Sequence, residues 1–185
     1  DKWIVERCKQ TMRRCIKLLD EYEIGSARHE IDDFFWKDFC DYYVEISKER
    51  LYQPEVHGYE ERKSGQFAIY YCLLNILKMY GIFVPHMTEF IYQDAFAAKE
   101  GIDCLHMNLW KVDGEDDAEA LEFGELVKEA VSEVRKYKSE NNISMKADIE
   151  SMKIVTPEKY KPMFDKTLKD IVACCHAQNI EFEIK

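Results

Sequence analysis

The sequence predicts a mainly α-helical protein: an antiparallel helical bundle over residues 1–112, then a small α+β unit with two strands over residues 113–185. Three observations lead there. Apolar residues recur at i, i+3/i+4 spacing through most of the chain, the mark of helices packed on one face. Only 7 Gly and 4 Pro occur in 185 residues, too few for a sheet protein with many turns. Two short stretches near the C-terminus, 149–155 and 180–184, alternate instead, as strands do.

The first helix is expected over residues 2–20. Ile4, Val5, Cys8, Met12, Cys15, Ile16 and Leu19 form its apolar stripe. Ser26 is expected to cap a second, central helix running to Tyr52, where Gln53-Pro54 ends it. Phe34, Phe35, Trp36, Phe39, Tyr42, Tyr43 and Ile46 cover most of that helix's circumference. A helix apolar nearly all round belongs in the middle of a bundle. Residues 53–63 read as a polar loop. A third helix follows over 64–83, and Pro85 opens a fourth, since its missing N–H costs nothing in a first turn. Short connections make the four helices antiparallel neighbours.

Residues 101–112 have no helical period and read as an extended anchoring segment, with His106 packed among apolar neighbours. A long helix is expected over 118–141, with Leu121, Leu126, Val127, Ala130, Val131, Val134 and Tyr137 facing inward. The order strand, helix (158–178), strand then implies two strands joined across one face by a helix.

Composition narrows the function classes. At 46% apolar and 13% aromatic the chain is globular, and its apolar runs are too short and charged to span a membrane. No Gly-rich phosphate loop and no nucleophile–His–acid pattern appears, so no catalytic residue is assigned. His86 and Glu89 lie three apart on one helix face, but no matching Glu-x-x-His stands on another, so no metal ligand is assigned. Seven Cys without a CxxC pair fit buried thiols in a reducing cytoplasm. The net charge of −10 argues against binding DNA or RNA over a broad surface. Residues 1–19 run against that balance, with Lys2, Arg7, Lys9, Arg13, Arg14 and Lys17 opposed only by Asp1 and Glu6. This basic strip, with Trp3 at its start, is the candidate RNA-binding face; the alternative is an ordinary solvated helix face.

Five segments, in order along the chain, carry a family resemblance. DKWIVER at the start is similar to the segment that opens the anticodon-binding domain of class I aminoacyl-tRNA synthetases. FFWKDFCDYYVEISKERLY resembles the valyl-tRNA synthetases more than their isoleucyl or leucyl relatives. FVPHMTEFIYQ resembles the family's PxxPxxTExxYQ segment, with Gly81-Ile82 in place of its first Pro. CLHMNLW resembles S-I/V-H-x-x-x-W, with Cys104 where the family has Ser and Lys111 where Pro is usual. AVSEVRKYKSENNISMKADIESMKI is similar to the C-terminal extension of archaeal-type valyl enzymes.

The resemblance implies a piece of a longer valine–tRNA ligase, in keeping with a first residue that is not Met. Its partners would be valine tRNAs and its own catalytic domain, in the cytoplasm. The HIGH and KMSKS motifs are missing, so ATP and magnesium belong to the parent enzyme and no cofactor to this piece. The resemblance places Lys2 and Trp3 near the anticodon loop, with Trp3 stacking on an unpaired base. Arg7, Arg13, Arg14 and Lys17 would meet phosphates, and Arg135 and Lys138 match recurring family positions that contact tRNA or hold the C-terminal unit. The rival readings are an isoleucyl anticodon-binding domain and a non-catalytic helical scaffold for protein partners.

Overall fold

A computed structural model describes residues 1–112 and 114–185. The helices are α1 (Lys2–Asp20), α2 (Ile24–Asp33), a π-helix (Phe34–Val44), α3 (Glu45–Tyr52), α4 (Pro54–His57), α5 (Tyr59–Tyr80), α6 (Pro85–Ala95), α7 (Ala97–Glu100), α8 (Ala118–Glu140) and α9 (Lys161–Cys175). Strands β1 (Ile149–Thr156) and β2 (Ala177–Ile184) form a two-stranded parallel sheet, with Met152 beside Ile180 and Ile154 beside Phe182. Parallel pairing requires a crossover, and the stretch containing α9 supplies it. The chain is mainly helical, as its periodicity requires.

The packing divides differently from the contiguous 1–112 and 113–185 expected. One compact unit comprises residues 1–41 and 66–117; the other comprises 42–65 and 118–185. The expected second segment begins at Asp113, which lies outside the described residues. The C-terminal helices and strands do not form a core by themselves. Ile46 from α3 joins Phe123, Val127 and Val131 of α8, Ile154 of β1 and Phe164 and Ile171 of α9 in one apolar cluster. Tyr42 packs on the same cluster and bonds Ser132 through its hydroxyl at 2.6 Å. In the first unit, Leu74 and Leu77 of α5 meet Tyr92 and Phe96 of α6 and the following Leu105.

The central helix differs most from expectation. Ser26 lies inside α2, whose N-cap is Glu23, and its hydroxyl bonds the Glu23 carboxylate at 3.3 Å. From Phe34 the turns widen, so that hydrogen bonds reach back five residues rather than four. That period explains the burial. Phe34, Phe39 and Tyr43 are five and four apart and fall on one inward line, whereas Trp36 is 58% exposed. An α-helical period cannot place these residues on a single face. The aromatic belt is therefore one-sided.

The expected loop at 53–63 is also helical. Pro54 opens α4, and Gly58, at φ +118°, turns the chain into α5. Glu60 and Glu61 stand in the first turn of α5, where negative charge suits the free N–H groups. Residues 101–112 are non-helical except for one 3-10 turn at Leu105–Met107. In α8, Lys138 is buried and Tyr137 is exposed, the reverse of the expectation. All seven cysteines are free thiols, and Cys8, Cys15, Cys72 and Cys175 are buried as small apolar side chains. Among the described residues, no helix is long and apolar enough to cross a membrane.

Candidate nucleic-acid interface

The basic strip is built on α1, whose inner stripe (Ile4, Cys8, Met12, Cys15) is fully buried. That fixes the helix rotation and leaves the arginines and lysines to the sides and front. Trp3 belongs to the inner stripe. It is only 7% exposed, so its ring offers no open face to a nucleobase. The expected stacking role of Trp3 is corrected on that ground.

Each basic residue of the strip has an acidic neighbour. Arg7 bonds Gln10 at 2.6 Å and lies 3.6 Å from Asp38 of the π-helix. Arg13 holds Asp116 and reaches the carbonyl of Gly114 at 3.4 Å. Arg14 stands 3.4 Å from Glu30 of α2, and Lys17 stands 4.0 Å from Glu21. Lys2 pairs with Asp117, and Lys9 with Glu6 at 2.6 Å. The acids of the chain thus sit on its bases, which reconciles a basic first helix with a net charge of −10.

Accessibility divides these pairs. The side chains of Lys2, Arg14 and Lys17 are 72%, 53% and 78% exposed, while those of Arg7 and Arg13 are 19% and 25% exposed. An exposed ion pair is worth only about 0–1 kcal/mol, so a phosphate can replace the carboxylate at Lys2, Arg14 and Lys17 with little loss. Arg7 and Arg13 are committed to holding the fold. Arg13 and Gln10 together anchor Asp116.

The Gln10 amide, and after it the Arg13 guanidinium, hold the Asp116 carboxyl below its ordinary value of 3.8. A lowered folded value means that the contribution to stability is present above pH 3.8 and is lost as pH falls through the folded value. A side-chain carboxyl NMR titration is expected to place the Asp116 midpoint below 3.8. Gln10→Ala is expected to move it upward. A midpoint unmoved by that change would break the assignment.

Arg135 and Lys138 lie in the other unit and have different surroundings. The Arg135 guanidinium carbon sits 4.9 Å from the centroid of the Tyr42 ring. Lys138 is 1% exposed, and its ammonium donates to the carbonyls of Met145 at 3.0 Å, Ala147 at 2.7 Å and Cys175 at 2.9 Å. It has no donor to spare for a phosphate. Its three engaged donors favour the structural role of the two expected for Lys138, against tRNA contact.

Sequence reasoning passed over Trp36. Its ring is exposed and is propped edge-on by Phe35, with centroids 4.7 Å apart. Beside it the Lys37 side chain is 67% exposed, and Arg28 of α2 is 53% exposed. The Arg14–Glu30 and Arg7–Asp38 pairs lay α1 alongside α2 and the π-helix. Nothing in a 3.6-residue reading separates Trp36 from the core aromatics. Only the wider helix does.

Sequence comparisons give the family of this helical chain. Residues 1–154 match the family described as the anticodon-binding domain of tRNA ligase, and the chain belongs to that family. Over 98% of its length the chain is 31% identical to the valine–tRNA ligase of Pyrococcus furiosus and 30% identical to that of Thermococcus kodakarensis. Over its whole length it is 30% identical to the valine–tRNA ligase of Rickettsia canadensis. It spans about a fifth of the length of each of these relatives, between 20% and 22%.

Proposed function

We propose that this chain is the tRNA-binding piece of a valine–tRNA ligase, and that it grips the anticodon arm through α1 and the exposed aromatic of the π-helix. The match to an anticodon-binding family over residues 1–154 carries the reading. The relatives reported are valine–tRNA ligases, which favours valine over the isoleucine alternative. Lys2, Arg14 and Lys17 supply phosphate contacts, salt-dependent and indifferent to sequence. Trp36 supplies the stacking surface first sought at Trp3, since a splayed loop base offers its face to an exposed ring. Arg7 and Arg13 hold the scaffold on which this surface stands, and Arg135 and Lys138 serve the packing of the other unit. Charging of the tRNA with valine, using ATP and magnesium in the cytoplasm, is the proposed activity of the longer protein.

The test is binding of the 185-residue chain to a valine tRNA transcript at low salt, beside the same tRNA with its anticodon replaced. Preference for the native anticodon is expected. Trp36→Ala is expected to weaken binding by about 1–3 kcal/mol, the value of one base stacked on an aromatic. Arg14→Glu with Lys17→Glu is expected to lower the slope of affinity against salt by about 1.5, from two lost contacts to unpaired RNA. Unchanged RNA affinity in the double charge reversal would favour the protein-scaffold alternative. A preference for an isoleucine anticodon would move the assignment to the sister enzyme.

A further inference from the structure

The tertiary fold brings one metal-binding side chain, Glu89, to two others that lie 15 and more residues further along the chain. Glu89 is on α6, while Cys104 and His106 flank Leu105 on the segment that follows α7. A carboxylate oxygen of Glu89, the thiol sulfur of Cys104 and a ring nitrogen of His106 all lie within 4.8 Å of one another. We propose that Glu89, Cys104 and His106 form a divalent-metal site suited to zinc, which clamps the 101–112 segment to α6.

The donor chemistry selects the ion. One oxygen, one sulfur and one nitrogen make a mixed set of the kind zinc accepts, with three protein ligands and water in the fourth position. A thiol and an imidazole are poor ligands for magnesium or calcium, which take oxygen. The geometry agrees. Glu89 Oε2 and Cys104 Sγ are 3.4 Å apart. Zinc–oxygen and zinc–sulfur bonds of about 2.1 and 2.3 Å at a tetrahedral angle put the two ligands about 3.6 Å apart. A ring nitrogen of the exposed His106 lies within 4.8 Å of both of these atoms.

The three ligands are also oriented by their neighbours, as ligands in built sites are. Glu89 Oε2 accepts the backbone N–H of Leu105 at 2.9 Å, and its Oε1 accepts the Gln93 amide at 2.7 Å. His106 Nε2 stands 3.3 Å from the carbonyl of Gly81. Donation to that carbonyl leaves the lone pair on Nδ1. Glu89 and Cys104 are half-buried and His106 is exposed, so the ion is shielded on one side and open to water on the other. Binding breaks the Cys104 S–H bond and forms a zinc–sulfur bond, releasing one proton to solvent. Without the ion, the thiol donates to Glu89 and no ligand is stranded, so the fold does not depend on the metal.

The experiment is a titration of the 185-residue chain with zinc chloride, read by native mass spectrometry and calorimetry. Cobalt titration then reads the sulfur-to-cobalt absorption band. The expected result is one equivalent of zinc and a thiolate–cobalt band. Cys104→Ser should abolish the band and weaken zinc binding at least about tenfold, no less than loss of a group that only orients a ligand would. Ser stands at this position in the resembled family, so the variant is expected to keep its circular dichroism. His106→Gln should weaken zinc by a similar factor through a different ligand. Cys174→Ser with Cys175→Ser controls for the adjacent pair of other thiols and should change nothing. No stoichiometric zinc, or zinc and cobalt binding undiminished in Cys104→Ser, would overturn the proposal.

Discussion

Lys138→Met is expected to lower the unfolding free energy by about 3 kcal/mol, the largest loss among the residues of the predicted interface. The ammonium draws together three carbonyls: Met145 and Ala147 from the turn after α8, and Cys175 from the end of α9. Asn142, at φ +54°, turns the chain just before this point, and the Ile143 N–H closes α8 on the Lys138 carbonyl at 2.8 Å. Methionine keeps the length of the side chain and removes every donor. Each buried carbonyl then left without a partner costs about 1–3 kcal/mol, reduced by the burial cost of the charge that has gone. A urea denaturation of the variant, followed by far-ultraviolet circular dichroism, measures the loss. Full stability together with weakened tRNA binding would return Lys138 to the interface.

Asp170→Ala is expected to be similarly severe, at about 3–5 kcal/mol, because it takes the carboxylate away from a buried guanidinium. Arg50 is 8% exposed, and its Nη1 stands 3.4 Å from an Asp170 carboxylate oxygen. Its Nη2 donates to the Tyr43 hydroxyl at 3.4 Å. His57 stands on the other side of the carboxylate, 3.6 Å from Asp170 and 3.8 Å from Glu49. Two effects oppose one another at Asp170. Burial pushes its carboxyl above the ordinary value of 3.8, and outweighs the pull of Arg50 and His57 in the other direction.

The sign of the pH dependence follows from that direction. A carboxyl whose folded value is raised binds its proton more tightly in the native state. Its contribution to stability is full below pH 3.8 and is lost as pH rises through the raised folded value. Asp170→Asn keeps the shape and removes the titration. Stability curves of the protein and of Asp170→Asn are therefore expected to converge or cross as pH rises through that window. Curves that run parallel would show that Asp170 does not titrate with folding. Asp170→Ala as stable as the parent would show that Arg50 finds another partner.

These residues mark where sequence reasoning succeeds and where it stops. The first helix was legible to within a residue, since Ile4, Cys8, Met12 and Cys15 repeat at helical spacing and the same residues are buried. The two strands were legible from their alternation, and the structure pairs them in parallel across the helix between them. The candidate interface was legible by residue type on α1, yet half of the residues named for it serve the fold. Arg7 and Arg13 hold Asp38 and Asp116, Trp3 is core, and Lys138 is enclosed by carbonyls. A charged side chain reads as surface in a sequence because its partners lie tens of residues away.

The sequence by itself determined that the chain is mainly helical and which helix carries the basic strip. It also carried the family, because motifs and periodicity are local properties of the chain. Tertiary structure decided which of those bases stay available and which aromatic is exposed. It also decided that Glu89, Cys104 and His106 meet. The physical reason is the same in all three cases. Helix phase beyond Phe34, the pairing of charges across helices and the convergence of distant ligands depend on contacts between elements, and spacing along one element does not contain them.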